Sequence, residues 1–561
     1  LLTKDTSENH SDSEEIIEWK VDGKRVMLVL AIITVCVAGA LIRLHPLAQS
    51  DLPYHLDGIL EGRYAEYIAV TGTLNAEAGT SYGATHTIYT PAYDVFLALT
   101  SLITHEQPIS MLQALLAPIT VLTLLGCYTL AHRLSAHRRV GVVTMMAMAA
   151  YGPFVFVTQG TWKEVFGIAF IPFIFVTFYL REDIRMRIIS SSLIFFLPLI
   201  HHLVAIIVLL GIAFASVSGF LLARRARTLG STNVIDILVT VIAIDELFLY
   251  YALVRFDRLE YLTPENGLYL FIGLAILMAL GIYYLGIKCL SETWRKTLWI
   301  SATSITILLL FIGILSPLFT EESMSFYIIS APLIASLVLV VLGIFGISLW
   351  ASSRSTSKTI FFAIFAAPLT LIIYAFLRAV DLQSYNIISR TVDFIDLGIM
   401  IGLGTFLVYE LKGQRRRSSF IMTSLICVLL ITSLPIAIDP EKYLGVRNNI
   451  CEFEVDGIEW VTTSNNLGEI QTDRHYSAVA RNLFDIPEDS TIIRRFMGAL
   501  DFESNTLMIA SERWVTKGTN DHPFGWIQIE MNELQSILDQ SNVLYVGGPQ
   551  KYEIIIFISP T

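Results

Sequence analysis

Carboxylates, imidazoles and lone cations in this sequence collect at the ends of apolar runs. The densest group is Ser50-Asp51-Leu52-Pro53-Tyr54-His55-Leu56-Asp57, with Glu61, Arg63 and Tyr64 behind it. A carboxylate placed there suits a general base, or a group that orients a substrate hydroxyl. A helix starting at Pro53 would put Asp57, Glu61 and Tyr64 on one face. Asp51, His55 and Asp57 are the candidate catalytic residues of this segment, although a solvated loop would also carry such acids. Further ends of apolar runs supply cations: Thr158-Gln159-Gly160-Thr161-Trp162-Lys163-Glu164, the pair His201-His202, and Ser389-Arg390. Lys163, His201, His202 and Arg390 suit a phosphate at an interface, where low dielectric strengthens charge pairing. An arginine that merely snorkels, or histidines that satisfy loose backbone groups, are the ordinary alternatives.

What positions these residues is a membrane. Of 561 residues, 54% are hydrophobic and 16% charged, with a mean hydropathy of +0.62; a soluble domain carries about 25% charge. The net charge of −11 and the absence of a Lys/Arg stripe speak against nucleic acid. Four cysteines (Cys36, Cys127, Cys289, Cys427) lie in or beside apolar runs. Cys451 alone falls in the C-terminal part, so no disulfide forms within that part. No CxxC or His/Cys cluster points to zinc. Residues 1–25 are polar and acid-rich and read as a disordered cytoplasmic tail without a cleavable signal.

Runs long enough to cross ~30 Å of hydrocarbon occupy 26–44, 112–132, 140–157, 163–180, 203–223, 233–254, 267–287, 298–319, 327–350, 359–378, 392–411 and 419–438. The shorter 188–200, between Arg181–Arg187 and His201, brings the expected number to about thirteen. The run 92–103 is too short to cross and reads as a juxtamembrane helix. Loop charge supports that choice. With the N-terminus inside, the inner connections hold Arg133/Arg138/Arg139, Arg181/Arg185/Arg187, Arg224/Arg225/Arg227, Lys288/Arg295/Lys296, Arg354/Lys358 and Lys412/Arg415/Arg416/Arg417. The outer ones are acidic. Making 92–103 a span would reverse every later loop. Asp245 and Glu246, near the middle of a span, are expected to face the bundle interior or a water-filled cavity, because a charge at mid-depth costs roughly 3 kcal/mol.

The expected fold class is therefore an all-α polytopic membrane bundle with a small C-terminal extracytoplasmic α/β or α+β domain. The bundle covers 26–438, with a long first outer loop at 45–91, and the soluble domain covers 439–561. Within that domain Thr506–Ala510, Val543–Val546 and Tyr552–Ser559 read as strands, and Arg474–Leu483 and Met531–Leu538 as helices. The location expected is the plasma membrane, multi-pass, with the N-terminus cytoplasmic.

One pattern carries a family likeness. The first outer loop opens with Asp51 and runs to Tyr89-Thr90-Pro91-Ala92-Tyr93 and an apolar helix. A span ending Tyr128-Thr129-Leu130-Ala131-His132-Arg133-Leu134 follows. This resembles the multispan GT-C glycosyltransferases, especially archaeal and bacterial relatives of the dolichyl-phosphate-mannose-dependent mannosyltransferases and the oligosaccharyltransferase catalytic subunit. The resemblance implies a juxtamembrane helix after Pro91 and Asp51 as the catalytic carboxylate. It also implies inverting transfer of a sugar from a polyprenyl-phosphate carrier to a glycan, glycolipid or protein acceptor on the outer face. Membrane lipids and the lipid-linked donor are the implied partners, and Lys163, His201, His202 and Arg390 the cations for its phosphate.

The sequence also departs from that pattern. No Trp-Trp-Asp motif occurs in the C-terminal domain, whose nearest aromatic group is Asp521-His522-Pro523-Phe524-Gly525-Trp526, and this argues against N-linked oligosaccharide transfer. No outward Asp-x-Asp or Glu-x-Asp stands ready for Mg or Mn, so no metal ligand is assigned and metal dependence stays open. A non-catalytic membrane scaffold, and a transporter or lipid flippase using Asp245 and Glu246, are the competing readings.

Overall fold

The computed structural model describes residues 2–3, 20–21 and most of 23–559. Outside it lie chiefly 4–19, 75–89, 305–330, 354–356, 380–381, 411–415, 465–468, 497–499, 522–524 and 550–552, with some single positions. Helices come first. The chain enters through α1 (Gly23–Arg43), then α2 (Leu56–Thr71) and α3 (Pro91–Thr104), which belong to the first loop. The bundle continues with α4 (Pro108–Ser135), α5 (Arg138–Ala150), α6 (Gly152–Thr158), α7 (Lys163–Tyr179), α8 (Ile184–Ile200) and α9 (His202–Arg225). It closes with α10 (Ser231–Val254), α11 (Leu268–Ile287), α12 (Ala331–Ser352), α13 (Lys358–Arg378), α14 (Leu382–Glu410) and α15 (Arg416–Ser433).

Among the described residues nine helices are long and apolar enough to cross a membrane. Helices α7 and α8, of 17 residues each, stand at the lower limit of about 17–25 for a span. The span expected over 298–319 lies mostly outside the described residues. The run 140–157 is not one straight span, because α5 and α6 bend by 66° at Tyr151. Pro153, in the first turn of α6, explains why a new helix starts here. Two side chains hold the freed backbone. Arg43, 1% exposed, donates to the carbonyls of Met148 and Ala149 and, from Nε, to Thr158 Oγ1 at 2.7 Å. Ser433 Oγ accepts the Gly152 N–H at 3.0 Å and donates to Ala150 O. A Cβ on Gly152 would come within 1.9 Å of the Ser433 carbonyl, so only glycine lets the bend close against the end of α15.

Asp245 corrects an expectation. It is exposed on α10, in line with exposed Leu238, Val241, Ile242 and Leu249, and does not face the interior; Glu246 beside it is half-buried. The interior is already filled by Ala243, Leu247 and Tyr251, which are buried at helical spacing and leave no place there for Asp245.

Two short helices, α16 (Pro435–Ile438) and α17 (Pro440–Leu444), lead out of the bundle. The C-terminal unit then contains α18 (Glu452–Ser464) and α19 (Arg474–Phe484) on a five-stranded mixed sheet. Its strands are β1 (Ile470–Gln471), β2 (Glu488–Asp489), β3 (Leu507–Ala510), β4 (Asn542–Gly547) and β5 (Ile554–Ile558), ordered β2-β1-β3-β5-β4. Strand β1 pairs parallel with β2 and β3, whereas β5 pairs antiparallel with β3 and β4. Strands β3 and β5 are fully or nearly buried (Leu507–Ala510, Ile554–Phe557), as central strands covered on both faces must be. The sheet's core also takes in Ile59 from α2, with Leu52 and Leu56 packed against it. The first loop is thus shared between the bundle and the C-terminal domain.

Candidate functional site

Helix α2 is the element that assembles the site. Its N-cap is His55, whose Nδ1 accepts the Asp57 N–H at 3.1 Å. That bond fixes the neutral tautomer with the proton on Nε2. Burial and the cations Arg390 and Arg474, against the opposing pull of Asp57, hold the imidazole below its ordinary pKa. The His55 ring packs on Trp162 at 4.1 Å between centroids, the planes inclined by 59°. On the bundle side, Gly58 lies so close to α7's entry that a Cβ there would stand 2.0 Å from Thr161 Oγ1. On the other side, Asn482 of α19 donates to Leu56 O at 3.3 Å and accepts from Arg63 at 2.9 Å.

A buried ion cluster pins this arrangement. Lys163 Nζ, at the first residue of α7, stands 2.8 Å from Asp94 Oδ2 on α3 and 3.0 Å from Glu61 Oε2 on α2. Asp94 is 1% exposed. Burial, with Asp94 alongside, lifts the Glu61 carboxyl well above the usual carboxylate range in spite of Lys163. Three elements far apart in sequence are joined by charges that cannot be uncovered one at a time without cost.

The opposite side of the same turn is open. Glu164 is 6% exposed and its Oε1 has no hydrogen-bond partner among the described residues. It lies within electrostatic range of Arg390 on α14 and of Asp57 on α2. Asp393, one turn below Arg390, is in range of Glu164 and Asp396. Below it an internal cavity, lined by Cys127, Met148, Phe154, Phe175, Ile207 and Asp393 among others, is apolar apart from Asp393 and Thr123.

The residues singled out in the sequence therefore divide into groups. His55, Asp57 and Arg390 come together, with Arg474 of the C-terminal domain and Glu164 joining them. Asp51 is exposed on the loop just before α2, outside the described contacts of that group. Lys163 belongs to the closed cluster. His201 and His202 pack ring to ring at 4.7 Å where α8 breaks into α9, and His202 faces Tyr251 of α10. Among the described residues no group of three His, Cys, Asp or Glu stands ready for a metal ion.

Sequence reasoning missed Glu61 and Asp94 as partners of Lys163, and Glu164 and Arg474 as members of the open group. Glu61 had a signal, since it shares a face with Asp57. Arg474 had none, because it reaches the site only through the docking of the C-terminal domain.

No family model matches the sequence, and no curated protein matches it. Solved structures do. An Archaeoglobus fulgidus oligosaccharyltransferase tethered with an acceptor peptide containing the NVT sequon aligns with TM-score 0.55 at 12% identity, over 94% of this chain and 74% of that one. An Archaeoglobus fulgidus oligosaccharyltransferase in complex with zinc and sulfate aligns with TM-score 0.54 at 13% identity, over 94% and 73%. Against the archaeal oligosaccharyltransferase AglB, in complex with an inhibitory peptide and a dolichol-phosphate, the TM-score is 0.49 at 12% identity. There the alignment covers 82% of this chain and spans 64% of the other's length. At such identity the likeness is one of architecture: the chain shares the multispan membrane fold of these oligosaccharyltransferase structures.

Proposed function

We propose that the chain transfers a sugar from a polyprenyl-phosphate carrier to an acceptor on the side of the membrane that bears the C-terminal domain. That side is read as extracytoplasmic, with the N-terminus inside, from the charge of the loops. The observation that carries the reading is the open group between α2, α7 and α14. It sets carboxylates and an arginine at the ends of spans, with Arg474 of the C-terminal domain beside them. The fold likeness supports it.

The chemistry follows from the charges. Arg390 takes the donor's phosphate, drawn in past His201 and His202 at the α8–α9 break. An outer-loop carboxylate, Asp57 or the neighbouring Asp51, accepts the proton of the acceptor hydroxyl as its oxygen bonds to the anomeric carbon. The bond from that carbon to the phosphate oxygen breaks on the opposite face, so the configuration inverts and lipid phosphate leaves with the electron pair. His55, neutral, accepts the Asp57 N–H and so fixes the backbone from which that carboxylate projects. Lys163 keeps α2 and α3 in place.

The test is transfer in proteoliposomes holding the full chain, a synthetic polyprenyl-phosphate sugar and a glycolipid acceptor. A general base contributes about 10²–10⁴-fold. Either Asp57→Asn or Asp51→Asn is expected to lose that factor with expression and melting unchanged. Full transfer in both single variants and in the double variant rejects an outer-loop Asp as base.

A further inference from the structure

The first turn of α7 carries two adjacent charges in opposite situations. Lys163 is satisfied by two carboxylates, whereas Glu164 has a buried oxygen without a partner. Arg390 lies within electrostatic range of Glu164, and among the described residues no ion pair is seen between them. Trp162 Nε1, two residues before Glu164, is likewise buried without a hydrogen-bond partner among the described residues. Leaving a buried carboxylate oxygen and an indole N–H unmade is costly. A ligand group reaching these atoms would complete them beside the Arg390 charge. The ligand chemistry that fits is an anion joined to a polyol: phosphate oxygens for Arg390, one hydroxyl donating to Glu164 Oε1, another accepting from Trp162 Nε1.

We infer that Glu164 and Trp162 form the subsite that holds the sugar of the glycosyl phosphate, beside the phosphate held by Arg390. This inference rests on the transfer reading above and assigns the residues that select its sugar. A carboxylate and an N–H aimed at hydroxyl groups reject a sugar that lacks either hydroxyl, because each would then be left buried and unpaired.

The test uses the full chain in nanodiscs and measures the dissociation constants of citronellyl phosphate and of a panel of citronellyl-phosphoryl sugars. The sugar that wild-type protein holds most tightly is carried forward. Glu164→Gln is expected to weaken that compound about tenfold or more, leaving bare citronellyl phosphate within about twofold. Trp162→Phe, which removes the N–H and shortens the ring that packs on His55, is expected to act in the same direction by about threefold to tenfold. Arg390→Gln weakens both compounds equally. Equal weakening of both compounds by Glu164→Gln, or no effect of either variant, overturns the subsite. So does a wild type to which no sugar adds affinity over bare phosphate. A wild type that binds none of the compounds overturns the lipid-phosphate reading and this inference with it.

Discussion

Two buried acids in this molecule have opposite fates. In the C-terminal domain Glu454 is fully buried and fully engaged. Its Oε2 accepts the Cys451 N–H at 2.8 Å and meets His475 Nε2 at 3.2 Å, and its other oxygen pairs with Arg447. Burial alone would raise its pKa, but Arg447 and His475 outweigh that and bring it down to about 2. In the membrane-surface cleft Glu164 is about as buried and has an oxygen with nothing to accept from. The first arrangement is closed and holds a domain together. The second is open, and its open side faces Arg390 and Asp57. Buried charge alone does not separate the two acids; a cation in contact, present at Glu454 and, among the described residues, absent at Glu164, does.

Three experiments bear on that contrast, from the largest effect to the smallest. Lys163 belongs with the closed kind, so Lys163→Met leaves Asp94 buried without its cation and should cost about 3–5 kcal/mol, seen as a lower melting temperature of the full chain in nanodiscs. Arg390→Gln, on the open side, should leave melting unaltered while binding of citronellyl phosphate falls. A Lys163→Met protein of unchanged melting that no longer binds citronellyl phosphate would move Lys163 to the open group.

The second experiment is acidification. Glu454 has a folded pKa near 2 against an ordinary 4.5, so its contribution is complete above about 4.5 and is lost as pH falls towards 2. The loss amounts to about 3 kcal/mol. Hydrogen exchange of segment 447–480 should accelerate between pH 5 and about 2.5 in wild type and much less in Glu454→Gln. A flat wild-type profile over that interval denies the closed network its role. Third, Asn482→Ala removes the side-chain bond from α19 to Leu56 O and should cost only about 0.5–1.5 kcal/mol, read as faster exchange confined to α2. Unchanged exchange there means that Ile59 in the domain core is enough to hold the loop.

Much of the fold was legible and much of the site was not, for one physical reason. Spans, the juxtamembrane helix and the strands of the domain are written in local hydrophobic pattern, which is why Arg474–Leu483, Met531–Leu538 and Val543–Val546 appear almost where expected. The 66° bend at Tyr151 was hidden because apolarity runs unbroken through it, and Pro153 alone does not say whether a span kinks or ends. Nothing near Arg43 in the sequence says that its guanidinium lies inside that bend. At the site, each residue type was visible, but pairing depends on which helices touch. Lys163 was read as a free cation because Asp94 is 69 positions away in the chain. Asp245 was placed inside because its cost in lipid is large, while the side it faces is set by Ala243, Leu247 and Tyr251.

The most direct measurement is a cryo-EM map of the full chain in nanodiscs loaded with a polyprenyl phosphate. The account predicts phosphate density against Arg390, between α2 and α14, with Lys163 still held by Glu61 and Asp94. Phosphate density on Lys163 released from its two carboxylates, or none anywhere in the cleft beneath the C-terminal domain, would contradict it.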